Sequence, residues 1–180
     1  MVAMRWKALN GLGIEYANLV ETPAGIDIES VVIGDRFGPC GAAYRIHCSP
    51  DWAVRSVEID VVGGRSLALV GEGNGHWRTA AGDPLPELDG CIDVYISATP
   101  LTNTLPIRRL NLAAGERRTI RVAFIPLPSL VPEPVEQAYT CVEPGKTYRY
   151  EGIFRKFETE LMVDGDGLVV DYPTLFERIV

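Results

Sequence analysis

The sequence predicts a mainly β protein, built on a curved antiparallel sheet or half-barrel with one or two short helices or loops on its concave face. Apolar and polar residues alternate with a period of two along much of the chain, which is typical of strands with one buried face. Turn signals rich in glycine recur between these segments. One-sided strands favour antiparallel pairing, because the strands of all-parallel sheets are continuous apolar runs.

The alternation is clearest in four segments. They are residues 26–33, 57–61, 92–97 and 120–124. Residues 147–163 contain no proline and only one glycine, Gly152, so this segment predicts one bent strand or two strands with a kink at Gly152. The Asp-Gly repeat at 164–167 then predicts a turn that leads residues 168–170 back as a hairpin.

Helix is expected in only a few places. The candidates are residues 102–110, which contain Pro106, residues 173–179, which begin with Pro173, and residues 135–139. Residues 126–134 hold four prolines, so they are expected to be extended or to form a loop.

Strand number and chain length shape the expected architecture. Roughly ten short strands with little helix do not form a flat open sheet readily, since twist accumulates and large sheets curl, split or close. A closed barrel and a sandwich therefore remain alternatives to the half-barrel. The chain has 180 residues, which predicts a single domain over residues 1–180 that folds without disulfides or a structural metal.

Composition argues against several functional classes. Lys and Arg number 17 against 24 Asp and Glu, a net charge of −7, so no nucleic-acid partner is expected. No apolar stretch is long enough to form an integral membrane segment. The first twenty residues lack the apolar core and cleavage site of a secretory signal, so we expect a cytoplasmic protein.

Free thiols and no metal site are expected, because the spacing of the cysteines fits no metal motif. These cysteines are Cys40, Cys48, Cys91 and Cys141.

Catalytic motifs are missing from the sequence. The nucleophile elbow, the zinc-protease motif and the Walker A motif are all absent, so no catalytic residue and no cofactor is assigned, and binding is favoured over catalysis. The acidic residues Asp89 and Asp93 are the candidates for a general acid and base if the chain is an enzyme. Asp89-Gly90 is also a common turn pair, which explains Asp89 without a function.

The least generic segment is residues 99–110. Two prolines frame a run of hydroxyl and amide side chains, and the adjacent arginines Arg108 and Arg109 follow. One interpretation is a connection with a helical turn that packs Leu101 and Leu105 inward. The other is that an arginine donates hydrogen bonds to an anionic or hydroxyl-rich head group while the apolar residues border a pocket.

A family resemblance rests on this segment and its neighbours. Residues 88–94, 97–100 and 102–110 resemble the central motif of the bacterial putative glycolipid-binding family, formerly a domain of unknown function. Residues 167–176 resemble the family's ending. Tyr44-Arg45, Trp52-x-x-Arg55 and Trp77 fit its first half. Two positions depart from the family pattern, since Tyr95 stands where an acidic residue is expected and Leu101 where an aromatic residue is expected.

The resemblance implies a half-barrel with a hydrophobic concave face, similar to lipoprotein localisation factors and lipid carriers of bacterial envelopes. The function we expect is non-enzymatic binding of a hydrophobic or amphipathic ligand, a lipid or glycolipid, on that face. The candidate ligand-binding residues are Arg108, Arg109, Asn103 and Thr102 for the head group, Trp52, Tyr95 and Trp77 for the pocket wall or rim, and also Asp93, Arg45 and Arg55. Two alternatives stay open: a hydrolase-like enzyme on a sugar- or acyl-containing substrate that uses Asp89 or Asp93, and a protein–protein interaction module, including a homodimer.

Overall fold

The computed structural model describes residues 1–179, which form one large sheet with little helix. Its strands are β1 (Val2–Ala8), β2 (Gly13–Thr22), β3 (Gly25–Gly34), β4 (Cys40–Cys48), β5 (Val54–Val61), β6 (Ser66–Gly71), β7 (Trp77–Thr79), β8 (Cys91–Ile96), β9 (Arg117–Ile125), β10 (Glu133–Glu143), β11 (Thr147–Gly152), β12 (Phe157–Val163), β13 (Val169–Tyr172) and β14 (Phe176–Arg178). Helix α1 spans Thr104–Leu110, and short 3₁₀ turns span Pro86–Leu88, Leu101–Asn103 and Ile153–Arg155.

The strand order shows how the chain builds the sheet. The order is β7-β6-β5-β4-β3-β2-β1-β14-β13-β12-β11-β10-β9-β8. The chain therefore runs outward by hairpins from β1 to β7, crosses to the other edge at β8, and returns by β9 to β14, which pairs with β1. The sheet is curved and open. Its two edges approach each other, since Gly90 N donates to Gly75 O at 2.9 Å.

One pair of strands departs from the expected antiparallel arrangement. β8 and β9 run parallel, and parallel neighbours need a crossover connection rather than a tight turn. Residues 97–116 are that crossover, and they include α1. The expected helix over 102–110 is confirmed, as a 3₁₀ turn followed by α1.

The crossover fills the concave side of the sheet. Leu101 and Leu105 are fully buried and belong to the same apolar cluster as Trp6 of β1. Ile107 packs instead in the cluster of Tyr139 and other residues of β10–β14. The two halves of the sheet thus share α1 as a common core element, which is why the sheet needs no second layer.

Two expected helices are wrong. Residues 135–139 lie inside β10, which is paired on both sides with β9 and β11. Residues 173–179 form a turn and then β14, whose pairing with β1 joins the halves of the sheet. Each segment is too short to be a stable helix alone, so hydrogen bonding to neighbouring strands decides its structure.

Other local expectations are confirmed. Residues 147–163 form two strands, β11 and β12, with β11 ending at Gly152. The turn at 164–167 leads into β13, which pairs with β12. Residues 126–132 are irregular, and the four cysteines are free thiols. Over the described residues no helix has both the length and the apolar character needed to cross a membrane.

The role of the crossover in the core can be tested by truncating Leu105. We expect Leu105→Ala to lower the free energy of unfolding by about 2–5 kcal/mol, because the lost methyl groups leave a cavity. Ile33→Ala on β3, where the side chain is 60% exposed, is the control and should cost well under half as much. Urea denaturation measures both, and equal losses would contradict this role for the crossover.

Candidate functional site

The crossover holds several polar side chains in the core, and hydrogen bonds inside the protein occupy them. Thr102 Oγ1 accepts from Ile96 N at 3.3 Å. Asn103 Nδ2 donates to Pro100 O at 3.0 Å, and Asn103 Oδ1 accepts from Tyr139 OH at 2.9 Å. Both side chains are buried, and neither lines the cavities described below. The structure thus places these two expected head-group residues as anchors of the crossover.

Asp93 and Arg109 form a buried ion pair beneath α1. Arg109 Nε donates to Asp93 Oδ1 at 3.0 Å and Arg109 Nη2 donates to Oδ2 at 2.6 Å. Burial raises the pKa of the Asp93 carboxyl, and the bonds from Arg109 act in the opposite direction. The bidentate geometry ties the C-terminal end of α1 to β8.

Arg108, the neighbouring arginine, lies in an open polar groove with a volume of about 730 Å³. Its guanidinium carbon stands 4.5 Å from the ring centre of Trp52. Arg108 Nη1 donates to Asp166 O at 2.8 Å, and Nη2 lies 3.4 Å from Glu21 Oε2. The structure therefore brings together Arg108, Arg109 and Trp52, but the hydrogen-bonding groups of Arg108 already face protein oxygens.

A separate aromatic cavity, with a volume of about 230 Å³, lies against β8, β9 and β11–β13. Its aromatic lining residues are Phe37, Tyr95, Phe124, Tyr150, Phe154, Phe157 and Tyr172. Tyr95 stacks on Phe124 and Tyr150 at centroid distances of 5.7 and 6.1 Å. The Tyr172 hydroxyl is buried, and over residues 1–179 it makes no hydrogen bond of regular geometry. Burial raises the pKa of Tyr150 and Tyr172, so both remain neutral donors. Among the residues that the sequence predicted for the pocket wall or rim, Tyr95 lines this cavity.

Two arginines bring positive charge to the aromatic cavity. The Arg155 guanidinium carbon lies 4.9 Å from the ring centre of Phe37 and 5.1 Å from those of Phe124 and Phe154. Arg36 Nη1 donates to Ser97 O at 3.4 Å. No hydrogen bond to a carboxylate engages either guanidinium within residues 1–179. They can therefore donate to oxygen atoms of a bound molecule.

An apolar groove adjoins the aromatic cavity and shares Arg36, Phe37 and Ser97 with it. Its apolar lining includes Trp6, Val32, Cys40, Leu127, Leu175 and Phe176. The groove is narrow, with a volume of about 40 Å³. The groove and the cavity are therefore neighbours that have these three wall residues in common.

Glu15 is the buried acid in the wall of the apolar groove. Its Oε1 accepts from Ser30 Oγ at 2.7 Å and from Tyr44 OH at 2.5 Å. Its Oε2 is buried, and within residues 1–179 it makes no hydrogen bond of regular geometry. Burial raises the pKa of this carboxyl to about 7, against the opposing effect of hydrogen bonds from Thr99, Tyr44 and Ser30. The carboxyl can therefore change its protonation near neutral pH.

The sequence interpretation did not identify Glu15, Arg36 or Arg155. Alternation with the apolar Ile14 and Tyr16 would place Glu15 on the solvent face, but it lies in phase with Ala17 and Leu19 on the buried face of β2, and Ile14 and Tyr16 are exposed. Arg36 and Arg155 lie in connections, where periodicity does not indicate a direction. Only the packing of distant segments brings them to one cavity.

The remaining expected residues lie away from the two cavities. Trp77 is buried, and its Nε1 donates to Cys91 O at 2.6 Å. Arg45 is exposed on β4, with its Nε 3.1 Å from Glu29 Oε1. Arg55 Nη1 donates to Glu72 O. Their proposed roles in ligand binding stay predictions.

The two acids of the enzyme hypothesis lie in different environments. Asp89 is on the surface, with its Oδ1 3.1 Å from His76 Nδ1. Asp93 is fully buried and bonded to Arg109 through both oxygens. A general acid and base must both reach the substrate, so this geometry offers no support for an Asp89–Asp93 pair.

Comparisons with known proteins agree on one family. The family described as putative glycolipid-binding matches residues 3–178. The crystal structure of a DUF1089 family protein from Pseudomonas aeruginosa is similar to this chain, with 38% sequence identity over 92% of each chain and a TM-score of 0.80. No curated protein matches the chain.

The adjacent arginines provide a test of the buried ion pair. We expect Arg109→Gln to lower the free energy of unfolding by about 3–5 kcal/mol, because it leaves the Asp93 charge buried without its partner. Arg108→Gln is the matched control and should cost about 1 kcal/mol or less. Urea denaturation at neutral pH compares the two variants, and similar losses would contradict a structural role specific to Arg109.

Glu15 should make the stability depend on pH. Burial raises the pKa of its carboxyl from 4.5 to about 7 in the folded chain. The folded state therefore holds this proton more tightly than the unfolded state. The contribution to stability is fully present below about pH 4.5 and is lost as the pH rises through about 7. We expect the free energy of unfolding to fall by about 2–3 kcal/mol between about pH 5 and about pH 8 from this group.

The matched variant for this measurement is Glu15→Gln, which keeps the shape of the side chain but does not ionise. Urea denaturation at several pH values should show that the variant lacks this part of the pH dependence. An unchanged dependence in the variant would mean that another group is responsible.

Proposed function

Because the chain belongs to the putative glycolipid-binding family, we propose that it binds an amphipathic glycolipid without changing it chemically. The observation that carries this proposal is that an aromatic cavity, which holds two arginines, and an apolar groove share the wall residues Arg36, Phe37 and Ser97. The cavity would take the sugar of the head group, and the groove would take the start of the lipid chain.

The aromatic cavity suits a sugar ring in size and chemistry. A cavity of about 150 Å³ is large enough to hold benzene, and this one measures about 230 Å³. Aromatic rings offer flat apolar faces against which the C–H faces of a sugar can pack. Tyr95, Tyr150 and Tyr172 line the same space, and tyrosine combines an aromatic face with a hydroxyl that can bond to sugar hydroxyls.

The arginines favour a head group with negative charge. The chain as a whole carries a net charge of −7, but Arg36 and Arg155 concentrate positive charge at this cavity. A carboxylate or phosphate on the sugar would form charge-assisted hydrogen bonds with them. We therefore propose an acidic glycolipid head group over a neutral one.

The apolar groove supports an amphipathic ligand rather than a free sugar. Its walls are largely aliphatic and aromatic, so a hydrocarbon segment would lose unfavourable contact with water there. With a volume of about 40 Å³, the groove takes a few carbon atoms next to the head group.

Two matched probes test the proposal. Octyl β-D-glucoside and octyl β-D-glucuronide have the same chain and ring, and differ by a carboxylate in place of a hydroxymethyl group. We expect both to bind below their micelle concentrations, with the glucuronide roughly fivefold tighter or more, because its carboxylate can pair with an arginine. Isothermal titration calorimetry measures both affinities.

Variants locate the site of binding. Arg155→Met should remove most of the advantage of the glucuronide, while Arg108→Met, in the polar groove beside Trp52, should leave it unchanged. If Arg108→Met removes the advantage instead, the head group binds in the polar groove, as the sequence interpretation expected. If neither probe binds, the proposed function is wrong.

A further inference from the structure

Exposed apolar side chains are concentrated in the connections at one end of the curved sheet. Neighbouring strands run antiparallel apart from β8 and β9, so successive connections alternate between the two ends. One end, which we call the apolar end, holds residues 9–12, 35–39, 62–65, 126–132, 153–156 and 173–175. The exposed apolar residues in these connections include Leu12, Phe37, Val62, Val131, Ile153 and Phe154. Single exposed apolar residues are common on proteins, but such a concentration indicates a contact surface.

The opposite end, which we call the acidic end, has the reverse character. It holds residues 23–24, 49–53, 72–76, 84–90, 111–116, 144–146 and 164–168. Within residues 1–179, none of these connections exposes a large apolar side chain. Met1, the first residue, lies beside them and is exposed. Every residue with a formal charge in these connections is acidic except Lys146.

Basic residues dominate the connections of the apolar end. The only acid in them is Asp35, and the basic residues are Arg36, Arg65, Arg155 and Lys156. Over the described part of the chain, none of these four basic side chains forms a salt bridge. Acids on the adjoining strands, among them Asp60, Glu133 and Glu158, lie behind the connections. The apolar end is therefore positive at its tips, although the chain carries a net charge of −7.

Contacts between the connections hold them together as one surface. The Arg155 guanidinium carbon lies 4.9 Å from the ring centre of Phe37 and 5.1 Å from that of Phe154. Leu12 N donates to Asp35 Oδ1 at 3.0 Å. Residues 9–12, 35–39 and 153–156 thus meet at the apolar end.

We propose that the apolar end docks on a lipid bilayer that carries anionic head groups. Exposed apolar side chains such as Leu12 and Phe154 would enter the boundary between head groups and acyl chains, and basic residues such as Lys156 would pair with lipid phosphates. The acidic end would then point away from the negative surface. This inference goes beyond the proposed function and needs no glycolipid ligand.

Charge and shape favour a bilayer over another protein as the partner. Two copies that met through their apolar ends would bring basic residues together, which disfavours a symmetric dimer at this surface. The apolar residues project from separate connections, and a fluid bilayer accepts such projections without a matching rigid surface. Docking would also place the aromatic cavity and the apolar groove next to the lipid, since Arg36 and Phe37 of this end line both.

Vesicles without any glycosylated lipid test the proposal. One preparation contains phosphatidylcholine and phosphatidylglycerol at about three to one, and the other contains phosphatidylcholine alone. We expect the chain to bind the anionic vesicles roughly tenfold tighter or more, because several basic residues reach the surface together. Added salt should weaken this binding. Vesicle flotation measures the bound fraction.

Paired variants test whether the apolar end makes the contact. Lys156→Gln should weaken binding to anionic vesicles by about fivefold, while Lys146→Gln, at the acidic end, should not weaken it. Leu12→Gln should weaken binding by a factor of about five or more, because an inserted apolar side chain is lost. Met162→Gln on β12, where the side chain is 53% exposed, is its control and should leave binding unchanged.

Tryptophan fluorescence reports which end enters the lipid. The native residues Trp6, Trp52 and Trp77 are buried, so an indole introduced on the surface can be read as a difference. On anionic vesicles the emission of Val62→Trp should shift to the blue, whereas Val142→Trp near the other end of β10 should show no shift. Both valines are exposed, so neither change disturbs the core.

The outcomes separate this proposal from the glycolipid proposal, which the octyl glycosides test independently. Absence of vesicle binding, equal binding to both preparations, or a blue shift only for Val142→Trp would overturn docking through the apolar end. So would self-association without vesicles that Leu12→Gln abolishes, because the apolar end would then bind a second copy. If the anionic vesicles bind as expected but neither octyl glycoside does, the glycolipid proposal is wrong and the docking surface stands.

Discussion

The crossover from β8 to β9 is the constraint on which the rest of the structure depends. The parallel pair requires a long connection, and the curved sheet has no second layer to cover its apolar face, so the connection is buried inside it. A buried segment must satisfy its polar groups within the protein. Asn103 bonds to Tyr139 on β10, and Arg109 bonds to Asp93 on β8. These polar bonds, together with apolar packing, hold the crossover against β8 and β10.

The cavities follow from the short length of this filling element. Helix α1 has 7 residues and rises about 10 Å, whereas β2 and β3, with 10 residues each, extend over about 33 Å. One helical segment of that size cannot cover the whole inner face. The uncovered part is lined by aromatic side chains, among them Tyr150 and Tyr172, which pack on Ile107 of α1 in one cluster and also border the cavity. The arginines of two connections, Arg36 and Arg155, then border this space.

Local pattern accounts for much of the agreement between expectation and structure. Residues 26–29 and 57–61 alternate strictly, and they lie in β3 and β5. The segment 102–110 carries apolar residues at helical spacing, with Pro106 inside it limiting its length, and it contains α1. Residues 135–139 and 173–179 carry only weak local preferences, so pairing with neighbouring strands overrides them. In the site, Tyr95 was a candidate for the pocket wall as an aromatic residue, although it departs from the family pattern, while Arg155 had no local feature that indicated a cavity.

By itself, the sequence determined the β character, the scarcity of helix, the helical segment within residues 102–110 and the family. These properties depend on period, turn residues and motif, which are local. Only the tertiary structure decided that β8 and β9 run parallel, that Asn103 and Asp93 bond internally, and that Glu15 shares a groove with Arg36. Those outcomes depend on which distant segments meet. The free energy of burying a polar side chain depends on the hydrogen-bond partner that it finds there and not on its neighbours along the chain.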